Sequence, residues 1–203
     1  MTRRVVSRGA VMVDARAAVV RLRGHQLIEP AIYAAEMLRA AVAGGATLVT
    51  LRNDADDFEL SYDGDPVDAA ELARLLDHLL SDVDARLRLL AIALNTALGL
   101  GPRYVDLYTT QHPEARDGLV ARVRWTAARQ PGGADQAVVS VVSRPEAMPT
   151  PGMHVHVREA FGMPVVREWI AREPAETRVL RERLVLPRVP VRCGGEVLAP
   201  RWE

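Results

Sequence analysis

The stretch "EMLRAAVAGGATLVTLRND", Glu36–Asp54, decides the fold, because it passes from helical periodicity to strand through a pair of glycines. Just upstream, "PAIYAAEMLRAAV" (30–42) sets Ile32, Ala35, Leu38 and Val42 near helical spacing, with Pro30 placed as a first-turn proline. Gly44 and Gly45 then end the helix as glycines do just past a C-cap. "ATLVTLRN" and "DFELSYD" follow as two strands, with "DADD" as the hairpin turn between them.

Working outward, "DAAELARLLDHLLSDVDARLRLLAIALNTAL" reads as two helices broken near Ser81 to Asp84, with Asp68 placed as an N-cap three residues before Glu71. "RYVDLYTT", "GLVARVRWTAAR", "DQAVVSVVSR" and "GMHVHVREA" alternate as strands, separated by glycine- and proline-bearing turns. "PVVREWIAR" and "PAETRVLRERL" read as short amphipathic helices, and "VPVRCGGEVL" as a closing hairpin turning at Gly194 and Gly195. This order predicts an α/β (α+β) two-layer sandwich, a mixed, mainly antiparallel sheet with helices on one face.

Composition narrows the function classes. The 203 residues suffice for one sizeable core, and 49% are apolar. Twenty-six basic residues balance twenty-six acidic ones, which gives no general pull toward nucleic acid or membrane. Every basic residue is arginine. With the many alanines this reads as the coding bias of a GC-rich genome, and it removes lysine-based chemistry such as a P-loop or a Schiff base. One cysteine, Cys193, leaves no internal disulfide and no thiolate zinc site, and without a nearby histidine it reads as a small apolar residue. The apolar runs of the N-terminus are broken by Asp14 and Arg16, unlike a signal peptide, and no run approaches the ~20 residues that cross a bilayer. A cytoplasmic setting is expected.

The ordered series resembles the GHKL ATP-binding superfamily of gyrase, heat-shock chaperone, histidine kinase and MutL. In that family a helix carries E-x-x-x-N-x-x-D-A, then G-A-T and a strand; here "EMLRAAVAGGAT" keeps the spacing from Glu36 through Gly45, Ala46 and Thr47. The family's D-x-G-x-G falls at "YDGDP" (62–66), and its late glycine-threonine at Gly152 and Met153. The upstream His25, Pro30, Tyr33 and Glu36 are similar to the start of bacterial ninety-kilodalton heat-shock chaperones, and "LRERLVLPRVPVRCGGEVL" resembles the point where that domain hands over to the next. The resemblance implies a Bergerat-type ATP-binding fold in a single domain over 1–203: a leading segment (1–29), a core (30–160), and C-terminal helices with a closing hairpin (161–203).

The departures bear on chemistry. The family's magnesium-holding asparagine corresponds to Ala40 and its helix aspartate to Ala43. The aspartate that receives the adenine amino group corresponds to Tyr62, the second glycine to Pro66, and the late threonine to Met153. Where the family has a glycine-rich lid, this chain has "HLLSDVDARLRLLAIALNTALGLG". Alanine offers magnesium no oxygen, a tyrosine turned inward fills purine space, a proline removes a backbone donor, and loss of the lid removes donors for phosphate.

By resemblance, then, the chain reads as a degenerate, chaperone-like pseudo-ATPase that serves as a protein-interaction or regulatory scaffold. A protein partner or a homodimer is expected, with no nucleic acid, membrane or cofactor. Two alternatives stay open. One is a GHKL-type ATPase using ATP and magnesium, with Glu36 as general base and Asp63, Gly64, Asp65 and Asn95 as substitute nucleotide contacts. The other is a binding module for a different small molecule. Against these, Glu36 reads more simply as a helix glutamate on a solvated or capped edge, and Asp63-Gly64-Asp65 as a turn leaving a strand. "LLAIALNTALGLG" reads as a core helix or as an interface cover, the scaffold reading predicting an exposed apolar patch near residues 87 to 100. His154 and His156 share one side of a strand and in principle a metal, though no third ligand stands nearby.

Overall fold

In the computed structural model the described residues are 18–19, 21–23, 29, 31–54, 56–80, 84–115, 118–128, 133–160, 174–183 and 189–198. The leading arginines, His25, Pro30 and the helix expected at "PVVREWIAR" lie outside them.

Helix α1 (Ile32–Ala43) runs into strand β1 (Val49–Asn53), which turns back as β2 (Asp57–Tyr62). Helix α2 (Ala69–Ala73), a 3-10 segment (Leu75–Leu80) and helix α3 (Ala85–Gly99) follow. Strands β3 (Tyr104–Thr109), β4 (Leu119–Thr126), β5 (Gln136–Ser143) and β6 (Met153–Arg158) come next, then helix α4 (Ala175–Arg183) and the hairpin β7 (Val191–Cys193) and β8 (Glu196–Val197). Among the described residues these strands form one sheet in the order β5-β4-β3-β6-β2-β1-β7-β8. All pairings are antiparallel except β1 with β7, which is parallel. The expected mixed, mainly antiparallel two-layer sandwich is the observed architecture.

Strand alternation sorts the side chains onto two faces. Leu51, Leu60, Val155, Leu107 and Val123 share the inner face and join one core with α1 and α3. The outer face carries Ser61, His154, His156, Asp106, Tyr108 and Arg124. Helix α1 packs on α3 and α4, and α3 also touches the 3-10 segment and β3.

The glycine stop acts as the sequence implies. Gly45 has φ 76°, its N–H donates to Val42, and the N–H of Ala46 reaches back to Ala41 at 3.0 Å, which closes the last turn of α1. Asp68 and Asp84 cap α2 and α3, each accepting from the backbone N–H two residues on. The first of the two expected helices is shorter than its sequence suggests. It tightens after Ala73 into 3-10 winding, whose three residues per turn keep Leu72 and Leu75 together in the core.

The segment weighed as a core helix or an interface cover is settled by burial. Leu90, Leu94 and Leu98 of α3 are all buried, because α1 covers one side and the 3-10 segment and β3 cover others. The apolar patch expected near residues 87 to 100 is therefore absent from the described residues; only Leu100, at the helix end, is exposed among the large apolar side chains there. A helix apolar on most sides belongs inside.

Candidate functional site

Most of the positions singled out from the sequence converge at the C-terminal end of α1, the end of β2 and the start of β6. They divide into two kinds. At some of them the backbone lies so close to neighbouring backbone that the residue type is fixed by space. Others, Ala40, Tyr62 and Met153 among them, present apolar or bulky side chains there.

Gly64, with φ 112°, belongs to the first kind. A Cβ added there would stand 2.7 Å from the Gly44 carbonyl oxygen and 2.9 Å from the Ala46 nitrogen, so only glycine lets the loop after β2 lie against the end of α1. Gly152 is similar, since a Cβ would meet the Tyr62 carbonyl oxygen at 2.5 Å. Asp63 clamps the same joint. Its Oδ1 accepts from the Thr47 and Leu48 backbone N–H groups at 2.7 Å each, and its Oδ2 accepts from the Thr47 hydroxyl. Partial burial works against its charge, yet these bonds from Thr47 and Leu48 hold the carboxyl below its ordinary range.

The second kind lines the inside of this joint. Ala40 is fully buried on α1. Tyr62, only 1% exposed, turns its ring into the core, and its hydroxyl meets Met153 Sδ at 3.2 Å. Tyr62 and Met153 are register partners across β2 and β6, so the two side chains satisfy each other. Burial raises the Tyr62 phenol far above its ordinary value, with the nearby Arg86 charge opposing weakly, so the ring stays neutral. Ala43 is exposed at the end of α1, and Pro66 is half-buried in the loop before α2.

The remaining candidates are spread apart. Glu36 accepts from Arg39 Nη1 at 2.7 Å, one turn along α1. Asp65 is exposed, and its backbone N–H donates to the Gly44 carbonyl at 3.0 Å. Asn95 is buried on α3, where Oδ1 accepts from Arg23 Nε at 3.1 Å and Nδ2 donates to the Val19 carbonyl at 3.4 Å. Its amide thereby holds the segment that precedes α1.

Sequence reasoning passed over Arg86. From the first turn of α3 it donates to the Asp65 carbonyl at 2.8 Å and straps down the loop that follows β2. A pairing across 21 positions leaves no local sequence signal. His154 and His156 do share the outer face, but each has another partner. His154 Nδ1 is 2.7 Å from Ser61 Oγ, and His156 Nε2 is 2.6 Å from Asp57 Oδ1. Among the described residues no group of three or more histidine, cysteine or carboxylate side chains is placed to hold a metal ion, and no helix is long and apolar enough to cross a membrane.

No protein-family profile and no curated protein sequence matches the chain. Solved structures do. The N-terminal domain of a DNA repair protein superposes with a TM-score of 0.52 at 13% identity, over 87% of this chain and 51% of that one. The ATPase domain of the mismatch repair endonuclease MutL of Aquifex aeolicus gives 0.49 at 15% identity, over 86% of this chain and 61% of that one. A variant of that ATPase domain gives 0.49 at 14% identity, over 86% and 64%. The likeness is one of fold. The chain spans between about half and two thirds of the length of these solved chains.

Proposed function

We propose that this domain has kept the frame of a GHKL ATP-binding module and lost nucleotide turnover, and that it works through contact with a protein partner or a second copy of itself by a surface other than residues 87 to 100, whose large apolar side chains are mostly buried. One observation carries the reading: the Tyr62 ring lies buried against Met153, in the same core as Ala40, at positions where the family resemblance would place adenine and magnesium ligands. To admit a purine, Tyr62 would have to leave a core in which it is almost completely enclosed, and Ala40 would still give magnesium no oxygen. Asp63, Gly64 and Gly152 each have a task in joining α1, β2 and β6, so their presence needs no ligand. Glu36, with its side chain 13% exposed, is already engaged by Arg39, which fits the same reading.

Thermal unfolding with and without magnesium-ATP, and with a non-hydrolysable analogue, tests it. The expected result is an unchanged midpoint at millimolar nucleotide. A ligand at a hundred times its dissociation constant would add about 2.7 kcal/mol, a shift of several degrees for a chain of this size. A magnesium-dependent rise of that kind would overturn the proposal and favour an ATPase with Glu36 as its base, to be checked by turnover of Glu36→Ala.

A further inference from the structure

Strand β5 (Gln136–Ser143) stands at one edge of the sheet among the described strands. It pairs with β4 along its whole length, and no described strand pairs with its other side. That side presents a row of backbone N–H and C=O groups about 27 Å long at strand rise. Strand edges are ordinarily blunted by a charge, a proline or a short length. The eight residues of β5, QAVVSVVS, hold no charge and no proline. Its valines are exposed on both faces, Val138 by 60% on the outer face and Val139 by 42% on the inner. Such an edge asks for a partner strand.

The residues of β5 also say which strand. They read nearly the same in both directions from Ser140, with Val139 answering to Val141 and Val138 to Val142. Two copies laid antiparallel about a twofold axis at Ser140 therefore set valine opposite valine on either side of a Ser140 pair. Moving the axis by one residue breaks the match, since Val138 then meets Ser140 or Arg144. The flanking residues Asp135 and Arg144 are opposite in charge, and the antiparallel register sets the start of one strand beside the end of the other. Unlike charges thus neighbour one another at both ends, while Asp135 keeps its pairing with Arg23. An independent observation lies at the axis itself. Ser140 Oγ is buried without a hydrogen-bond partner, and so is Nε of Arg122, its register partner on β4. Buried polar atoms are rarely left so. A second Ser140 hydroxyl opposite the first brings both a donor and an acceptor to that place.

We propose that the chain forms a homodimer in which β5 pairs antiparallel with β5 of a second copy about a twofold axis at Ser140, joining the two sheets into one. The inference rests on the contact reading above, and it names the partner and the surface.

Sedimentation equilibrium and cysteine cross-linking of the full chain test it. The parent is expected to reach twice the chain mass with a dissociation constant on the order of micromolar, as suits a small interface. Val138→Lys, at an exposed edge position, should weaken the dimer about tenfold or more, with the melting curve of the dilute chain unchanged. Under mild oxidation Ser140→Cys should form a disulfide-linked dimer, because directly opposed residues have Cα atoms about 4.5–5.5 Å apart. Val138→Cys is more exposed but about 14 Å from its counterpart in this register, and should not cross-link. The parent, with Cys193 alone, is the control. A monomer at every concentration, a dimer that Val138→Lys leaves intact, or cross-linking through Val138→Cys as readily as through Ser140→Cys overturns the proposal. A monomer whose melting ignores magnesium-ATP overturns the β5 dimer alone; a dimer that magnesium-ATP stabilises overturns the loss of turnover alone.

Discussion

His154 is 3% exposed on a sheet face that is otherwise polar, and the Tyr108 ring stands edge-on to it at 5.2 Å. Burial pushes its pKa down to about 4, with the neighbouring His156 charge adding to the effect and Asp106 opposing it. The folded state therefore holds a neutral ring where the unfolded chain, with an ordinary value near 6.5, already takes up a proton. Between those values the unfolded state binds more protons, so stability rises with pH and is lost as pH falls from about 6.5 toward 4, by a contribution on the order of 3 kcal/mol. Urea unfolding of the parent and of His154→Asn across that window checks the sign: the slope should largely vanish in the variant, and an unchanged slope would assign it to other groups. That both histidines face one side was legible from their spacing. Their engagement by Ser61 and Asp57 was not, because those partners come from β2, more than ninety positions earlier. Asp106 makes the same point: it is fully buried and held by Arg124 at 2.6 and 2.7 Å, and nothing in "RYVDLYTT" marks it as an ion-pair member.

At the scale of elements, two glycines that look alike in sequence differ in what surrounds them. Gly45 and Gly64 both have positive φ, but a Cβ at Gly45 meets nothing within 4 Å, whereas at Gly64 it would collide with the backbone of Gly44 and Ala46. Gly45→Ala should cost only the left-handed penalty, about 1 kcal/mol. Gly64→Ala should cost clearly more, because backbone must also move. Chemical denaturation of the two variants checks the order, and equal losses would mean that the α1–β2 joint is looser than it looks. The α1–turn–β1–β2 run could be read almost residue by residue, since the glycine stop, the strand alternation and the hairpin are local signals. The 3-10 tightening after Ala73 could not, because it answers to the placement of Leu72 and Leu75 in a core assembled from distant segments.

For the whole molecule, the sheet order places β6 between β3 and β2 and leaves β8 at an edge among the described strands. Strand β6 is paired on both sides and carries buried Met153, Val155 and Val157. Native-state hydrogen exchange should therefore be slowest in β6 and its neighbours, approaching the global unfolding free energy, and fastest in the β7–β8 hairpin, where Val197 is 59% exposed. Comparable protection across the sheet would contradict this gradient. The sequence alone determined the element order, the two-layer class and the glycine stop of α1, because composition, periodicity and turn chemistry are properties of short stretches. Tertiary structure alone decided that Tyr62 and Met153 satisfy each other, that Asn95 holds the segment before α1, and that Arg86 straps the loop at Asp65. Each of these depends on which distant segments the sheet order and helix packing bring together, and periodicity within a segment carries no information about its neighbours in space.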